Sequence, residues 1–271
     1  MNNKGRYWRI DDEGNITNDA HHNLIDPIFY PIISAVKQKY LEKLGDKIHS
    51  IYLTGSISRG LAIALESDLD VFAVLNRDIQ IEHEHAIKLA SISILNEYPV
   101  VSDVQMEIWP WDYVFPENNQ KTFTIGSFII KTHSVCIHGN NLANIISNFK
   151  LSKQIALDDI VQIKSDIEEA LFEVRKDSSP VNIRYWCKRI MKNIVRTGFS
   201  LVMNKEHCFT RDLSLSSVTF SKYYPDQKEH MNKALSLIHN PTSSVDELRI
   251  FLSQFGQWII FESEKWMKEH E

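Results

Sequence analysis

Between Ile51 and Leu75 the chain reads IYLTGSISRGLAIALESDLDVFAVL, and no other stretch restricts the fold so tightly. An apolar run closes on Gly55-Ser56, a small and polar segment follows, and Asp68-Leu69-Asp70 opens a second apolar run. This order predicts strand, turn, short helix, strand. A glycine after a strand lets the backbone approach a ligand, and the amides that open the next helix suit a phosphate. Asp68 and Asp70, two apart on a strand, project from one face while Leu69 and Val71 take the other. Neighbouring carboxylates repel unless a cation sits between them. A phosphate cradle beside an acid pair therefore calls for a nucleotide carrying a divalent metal, because magnesium prefers carboxylate and phosphate oxygens.

Gly55-Ser56, eleven further residues and then Asp-x-Asp, with Arg59-Gly60 and Ser67 inside, resembles the signature of the polymerase-beta-type nucleotidyltransferase superfamily. The order of parts down the chain is most similar to the aminoglycoside adenylyltransferases of the streptomycin/spectinomycin type. This resemblance implies an α+β chain whose N-terminal nucleotidyltransferase domain has a mixed sheet flanked by helices. It implies Mg2+ with ATP, or another nucleoside triphosphate, as donor. Asp68 and Asp70 would be metal-binding catalytic acids, and Gly55, Ser56, Arg59 and Ser67 would contact the nucleotide.

The rest of the chain fits such an arrangement. Residues 1 to about 20 are polar and predict a loose arm or small hairpin, with Trp8 as its tack. Apolar residues recur at helical spacing from His22 to Leu44, with Pro27 near the start and Gly45 after the end. A second helix is expected over Ile81 to Asn96, ended by Tyr98-Pro99. The segment 128–142, FIIKTHSVCIHGNNL, reads as a helix end, a strand and a Gly-Asn turn, and its middle resembles the run that closes the domain in the same family. His133 and His138 have no acidic partner nearby and read as structural rather than metal-binding.

From Val100 to Trp109 the residues alternate: Val104, Met106 and Ile108 face one way, and Asp103, Gln105 and Glu107 the other. The superfamily carries a third carboxylate on such a strand, binding the catalytic metal or acting as base. Asp103 fits by its place near the strand start and Glu107 by its distance from Asp68. The resemblance leans to Asp103 as the third metal ligand and leaves both open as the base.

Beyond about residue 150 only period 3.6 appears, over Ile155 to Val174, Val181 to Met203, Gln227 to His239 and Ser244 to His270. A nucleotidyltransferase domain over 1–150 and a helical-bundle domain over 151–271 are expected. Arg184, Lys188 and Arg189 form a stripe that reads as a solvated face. In Phe209-Thr210-Arg211-Asp212, Arg211 stands where the aminoglycoside adenylyltransferases place a basic residue on the phosphates.

The 30 basic and 35 acidic residues leave a net charge of -5, which argues against general nucleic-acid binding. Cys136, Cys187 and Cys208 lack metal-ligand spacing and read as reduced thiols, and no leader or membrane span is evident, so a cytoplasmic protein is expected. The expected activity is transfer of a nucleoside monophosphate, AMP by preference, to a hydroxyl of a small-molecule acceptor such as an aminoglycoside, whose amines Glu66, Asp112 and Glu117 could meet. The rival expectations are a toxin-like transferase acting on protein or RNA, and a catalytically silent nucleotide sensor.

Overall fold

The alternation seen in the two apolar runs becomes a four-stranded sheet in the computed structural model, which describes residues 5–76, 80–116 and 122–270. The chain divides into two compact units, Trp8–Lys150 and Leu151–Glu271, the second including Gly5–Tyr7.

In the first unit, β1 (Ile48–Thr54), β2 (Leu69–Leu75), β3 (Val104–Pro110) and β4 (Val135–Gly139) lie in the order β3-β2-β1-β4. β1 runs antiparallel to β2 and β4, whereas β2 and β3 are parallel, so the sheet is mixed. A parallel pair needs a crossover; here it contains α3 (Ile81–Glu97), after α1 (Tyr30–Leu44) and the single turn α2 (Gly55–Ser58). One sheet face, with Ile51, Leu53, Leu69, Val71 and Ala73, packs on Ile32, Val36 and Tyr40 of α1 and Ile87 and Ile94 of α3. The other face carries Tyr52, Phe72 and Val74 against Val114, Phe115, Ile130 and Leu142, supplied in part by α4 (Trp111–Val114) and α5 (Ile125–His133). Each aliphatic side chain fully buried in these layers stabilises the fold by about 1.5–3 kcal/mol.

The N-terminal arm is a small hairpin: Ile10 bridges Ile16, the Asp11 carboxylate accepts the Asn15 amide at 2.8 Å, and Trp8 is buried. The helix expected from His22 begins at Tyr30, after short turns at His22–Leu24 and Pro27–Phe29, the latter capped by Asp26. The third strand begins at Val104 rather than at residue 100. Its expected first residues bind a loop instead: Leu65 N–H donates to the Val100 carbonyl and Ser102 N–H to the Ser67 carbonyl.

The second unit is helical: α6 (Lys153–Lys176), α7 (Pro180–Ser200), α8 (Met203–Glu206), α9 (Leu213–Tyr223), α10 (Lys228–His239), α11 (Val245–Phe251) and α12 (Gln257–His270). Two departures from the sequence pattern stand out. α9 lies where no apolar period was visible, because its buried face is partly hydroxyl: Ser216, Ser217 and Thr219 are buried, and Ser216 and Thr219 return their hydroxyls to carbonyls four residues back. The single helix expected over 244–270 is broken by a π turn at Leu252–Gly256, where Gly256 comes close to Ile167. Among the described residues no helix is long and apolar enough to cross a membrane.

Candidate active site

β1 ends at Thr54, the register partner of Asp70 near the start of β2, so the loop after β1 and Asp70 meet at one end of the two central strands. Gly55 has φ +77°, a conformation that strains other residues. A Cβ built on it would lie 2.2 Å from Asp70 Oδ2. Only a residue without a side chain lets that carboxylate rest on the loop. Next to it the Ser56 hydroxyl is buried and has no hydrogen-bond partner among the described residues. Buried polar groups are nearly always paired, so an orphan hydroxyl at the head of a loop points to a ligand oxygen. The Arg59 and Leu61 amides both fold back onto the Ser56 carbonyl, which fixes the loop.

Burial alternates through the acid pair: Asp68 and Asp70 are half-buried, whereas Leu69 is fully buried and Val71 nearly so. Asp68 stands one residue before β2 rather than on the strand, and neither acid is sealed under apolar groups. On the neighbouring strand Gln105 is the register partner of Asp70 and Glu107 that of Phe72, so both share the face of Asp70. Asp103 stands one residue before β3, where its carbonyl accepts the Leu69 amide at 3.0 Å. Its carboxylate is exposed and accepts the amide of the adjacent Val104 at 2.8 Å. Glu107 is also exposed and takes the Trp109 indole N–H at 2.9 Å through Oε2. Among the described residues no three His, Cys, Asp or Glu side chains come close enough to hold a metal. Asp68 and Asp70 could hold magnesium, which binds through one or two carboxylates and completes its shell with phosphates and water.

Three further residues singled out in the sequence have other surroundings than the pattern suggested. Arg59 is buried: its Nε donates to the Gly55 carbonyl at 3.2 Å, its Nη1 lies 3.8 Å from Asp19 Oδ2, and the guanidinium stacks over Trp8. It braces the loop and the N-terminal arm from within. The Ser67 hydroxyl accepts the Ile63 amide at 2.9 Å and closes the connection between α2 and β2. Arg211, in the second unit, lies 3.6 Å from Asp159, which also accepts the Ser200 hydroxyl. Of the acids expected to meet amines, Glu66 and Asp112 are exposed and Glu117 lies outside the described residues. His133 packs edge-on against Trp8, His138 is an exposed residue of β4, and Arg189 of the basic stripe lies over Trp186.

Two tyrosines prop the sheet from opposite faces. Tyr40 of α1 donates toward the carbonyls of Val71 at 2.9 Å and Glu107 at 2.7 Å, bridging the two strands that carry the acids. Burial, with the Glu107 charge second, pushes its hydroxyl well above the usual range. Burial likewise pushes Tyr52 up to about 12, and its oxygen accepts the Leu142 amide. Both remain neutral struts at ordinary pH. Neither Tyr40 nor Trp109 was picked out from the sequence. Tyr40 was hidden in an apolar stripe, whereas Trp109 continues the alternation of Gln105 and Glu107 and could have been read from it.

Residues 32–130 match the family model described as a nucleotidyltransferase domain. Compared with the curated proteins, the chain has no match. Among solved structures it is similar to the crystal structure of spectinomycin adenyltransferase AAD(9) from Enterococcus faecialis with ATP and spectinomycin, at 13% identity and a TM-score of 0.55, over 87% of this chain and 99% of that one. At that identity the likeness speaks for the fold.

Proposed function

We infer, from a chain whose residues 32–130 match a nucleotidyltransferase domain model, that it transfers AMP from magnesium-bound ATP to a hydroxyl of a small-molecule acceptor. The observation that carries this reading is the Asp70 carboxylate resting on the Cβ-less Gly55, beside the partnerless Ser56 hydroxyl. An acid and a loop hydroxyl unmet among the described residues are brought together, which neither an apolar core nor a simple turn requires.

Asp68 and Asp70 would hold the magnesium together with phosphate oxygens; when bound, the ion neutralises phosphate charge and lowers the pKa of the attacking hydroxyl. The missing side chain at Gly55 leaves room for the Asp70 carboxylate, and the Ser56 hydroxyl donates to a phosphate oxygen. Glu107, on the same face as Asp70, accepts the acceptor's proton. Asp103, the alternative base, stands one residue before β3 and accepts the Val104 amide at 2.8 Å. The acceptor oxygen forms a bond to the α-phosphorus as the bond from that phosphorus to pyrophosphate breaks. Arg59 acts through the loop, by holding the Gly55 carbonyl, rather than by touching phosphate.

ATP is the preferred donor and an aminoglycoside or aminocyclitol the preferred acceptor, because the similar solved structure is that of a spectinomycin adenyltransferase with ATP and spectinomycin. The test is pyrophosphate release from ATP and magnesium against a panel of hydroxyl-bearing acceptors that includes spectinomycin and streptomycin. The expected result is acceptor-dependent release that Asp68→Asn and Asp70→Asn each reduce at least ~1,000-fold, in the range seen when a principal catalytic group is removed. Release unchanged in Asp70→Asn would refute the site. Label passing from α-labelled ATP to protein or RNA would move the acceptor class to macromolecules, and binding without turnover on any acceptor would make the protein a sensor.

A further inference from the structure

We propose that Trp109 is the positioning residue for the Glu107 carboxylate, an inference that rests on the reading of Glu107 as the group that takes the acceptor proton. An exposed glutamate on a strand has several rotamers to choose from, and ordering it costs entropy. Here the choice is narrowed by the indole N–H, which donates to Oε2 at 2.9 Å. The indole engages Oε2, so Oε1 is the oxygen left to receive a proton. An indole is a donor only, so it holds the carboxylate without competing for that proton.

The ring is itself held. Its register partner is Val74, yet its centroid lies 3.6 Å from that of Phe72, the partner of Glu107, with 16° between the planes. The side chain has leaned back along the strand toward the carboxylate. Phe72 is buried and stacks in turn on buried Tyr52 at 5.2 Å, and Tyr113 meets the indole edge-on at 5.0 Å. Phe72 is also two residues from Asp70 on the same face, so one aromatic row ties the orientation of Glu107 to the strand that carries the acid pair. Beneath, Tyr40 fixes the Glu107 carbonyl from the opposite face.

Trp109→Phe keeps a ring for stacking and removes the donor. In protein labelled with 15N at the indoles, the Trp109 N–H resonance, identified by its loss in Trp109→Phe, is expected to move in Glu107→Gln; a resonance that does not move would overturn the contact. In turnover, measured as pyrophosphate release from magnesium ATP with the best acceptor of the panel, or with water if none is used, Trp109→Phe is expected to lower kcat about 10-fold, the scale of a misoriented catalytic group. KM for ATP and the thermal midpoint should stay put. Glu107→Gln is expected to lower kcat further, and adding Trp109→Phe to it should do nothing more, because residues acting as a unit are not additive. Equal and additive losses in the double variant, or a change confined to KM or stability, would overturn the positioning role. Full activity in Glu107→Gln would instead refute the reading beneath it, and an inactive Glu107→Gln beside a fully active Trp109→Phe would refute this proposal alone.

Discussion

Gly55 and Ser56 are constrained by opposite physics, one by lack of space and the other by lack of a partner. Replacing Gly55 with Ala puts a methyl group into the Asp70 carboxylate at a positive φ, so Gly55→Ala should reduce turnover on the order of 100-fold through displacement of the acid; steady-state kinetics beside a circular dichroism spectrum checks this. Ser56→Ala removes a buried hydroxyl that has no partner among the described residues. An unsatisfied buried group costs about 1–3 kcal/mol, so urea unfolding should find this variant no less stable than the parent while its KM for ATP rises about 10-fold. A variant that is both destabilised and kinetically normal would remove Ser56 from the site. The turn at Gly55 and Ser56 was legible in the sequence because its glycine and serine sit in adjacent letters after an apolar run. Arg59 was not: its charge suggested phosphate, whereas its surroundings are set by Trp8 and Asp19, far away along the chain.

At the level of elements, the acids stay in place because β2 and β3 keep their register. Tyr40 holds that register from α1 by reaching one carbonyl on each strand. Tyr40→Phe leaves no large cavity but leaves both carbonyls without that donor, so a loss of about 1–3 kcal/mol is expected in chemical denaturation. A loss of turnover greater than the loss of folded protein should accompany it, and unaltered stability would contradict the strut. The strands and most long helices were legible because apolar periods of 2 and 3.6 are local facts. α9 was not, since serines and threonines that bond to their own helix can line a buried face without an apolar signature. The start of β3 was misplaced for a similar reason: the backbone at 100–102 bonds to the 65–67 loop, a partner that alternation does not reveal.

Across the whole molecule, the three cysteines are unpaired thiols placed in both units. Burial pushes Cys136 and Cys187 up and takes Cys208 to about 11. A thiol whose folded value exceeds its unfolded one contributes stability below the ordinary value of 9.0, and that contribution is lost as pH rises through about 11. Native protein at pH 8 should therefore react with iodoacetamide at least ~10-fold more slowly than urea-unfolded protein, since the thiolate is the reactive form; mass spectrometry of each cysteine over time reads this directly, and equal rates would contradict the burial. The division into a mixed-sheet unit and a helical unit could be seen in the change of period near residue 150, whereas the passage of Gly5–Tyr7 to the helical unit could not. That passage depends on long-range bonds such as Tyr7 to Thr219 and the Arg6 carbonyl to Thr210.

The central claim is that Asp68 and Asp70, seated against the loop at Gly55 and Ser56, bind a triphosphate through a divalent cation. Titration calorimetry with a non-hydrolysable ATP analogue, with magnesium and then with chelator, tests it most directly. The account predicts affinity at least ~10-fold higher with magnesium, about 1.4 kcal/mol in binding free energy, and no such difference in the Asp68→Asn, Asp70→Asn double variant. Equal affinity with and without magnesium in the parent protein, or a magnesium effect that survives in the double variant, would contradict it.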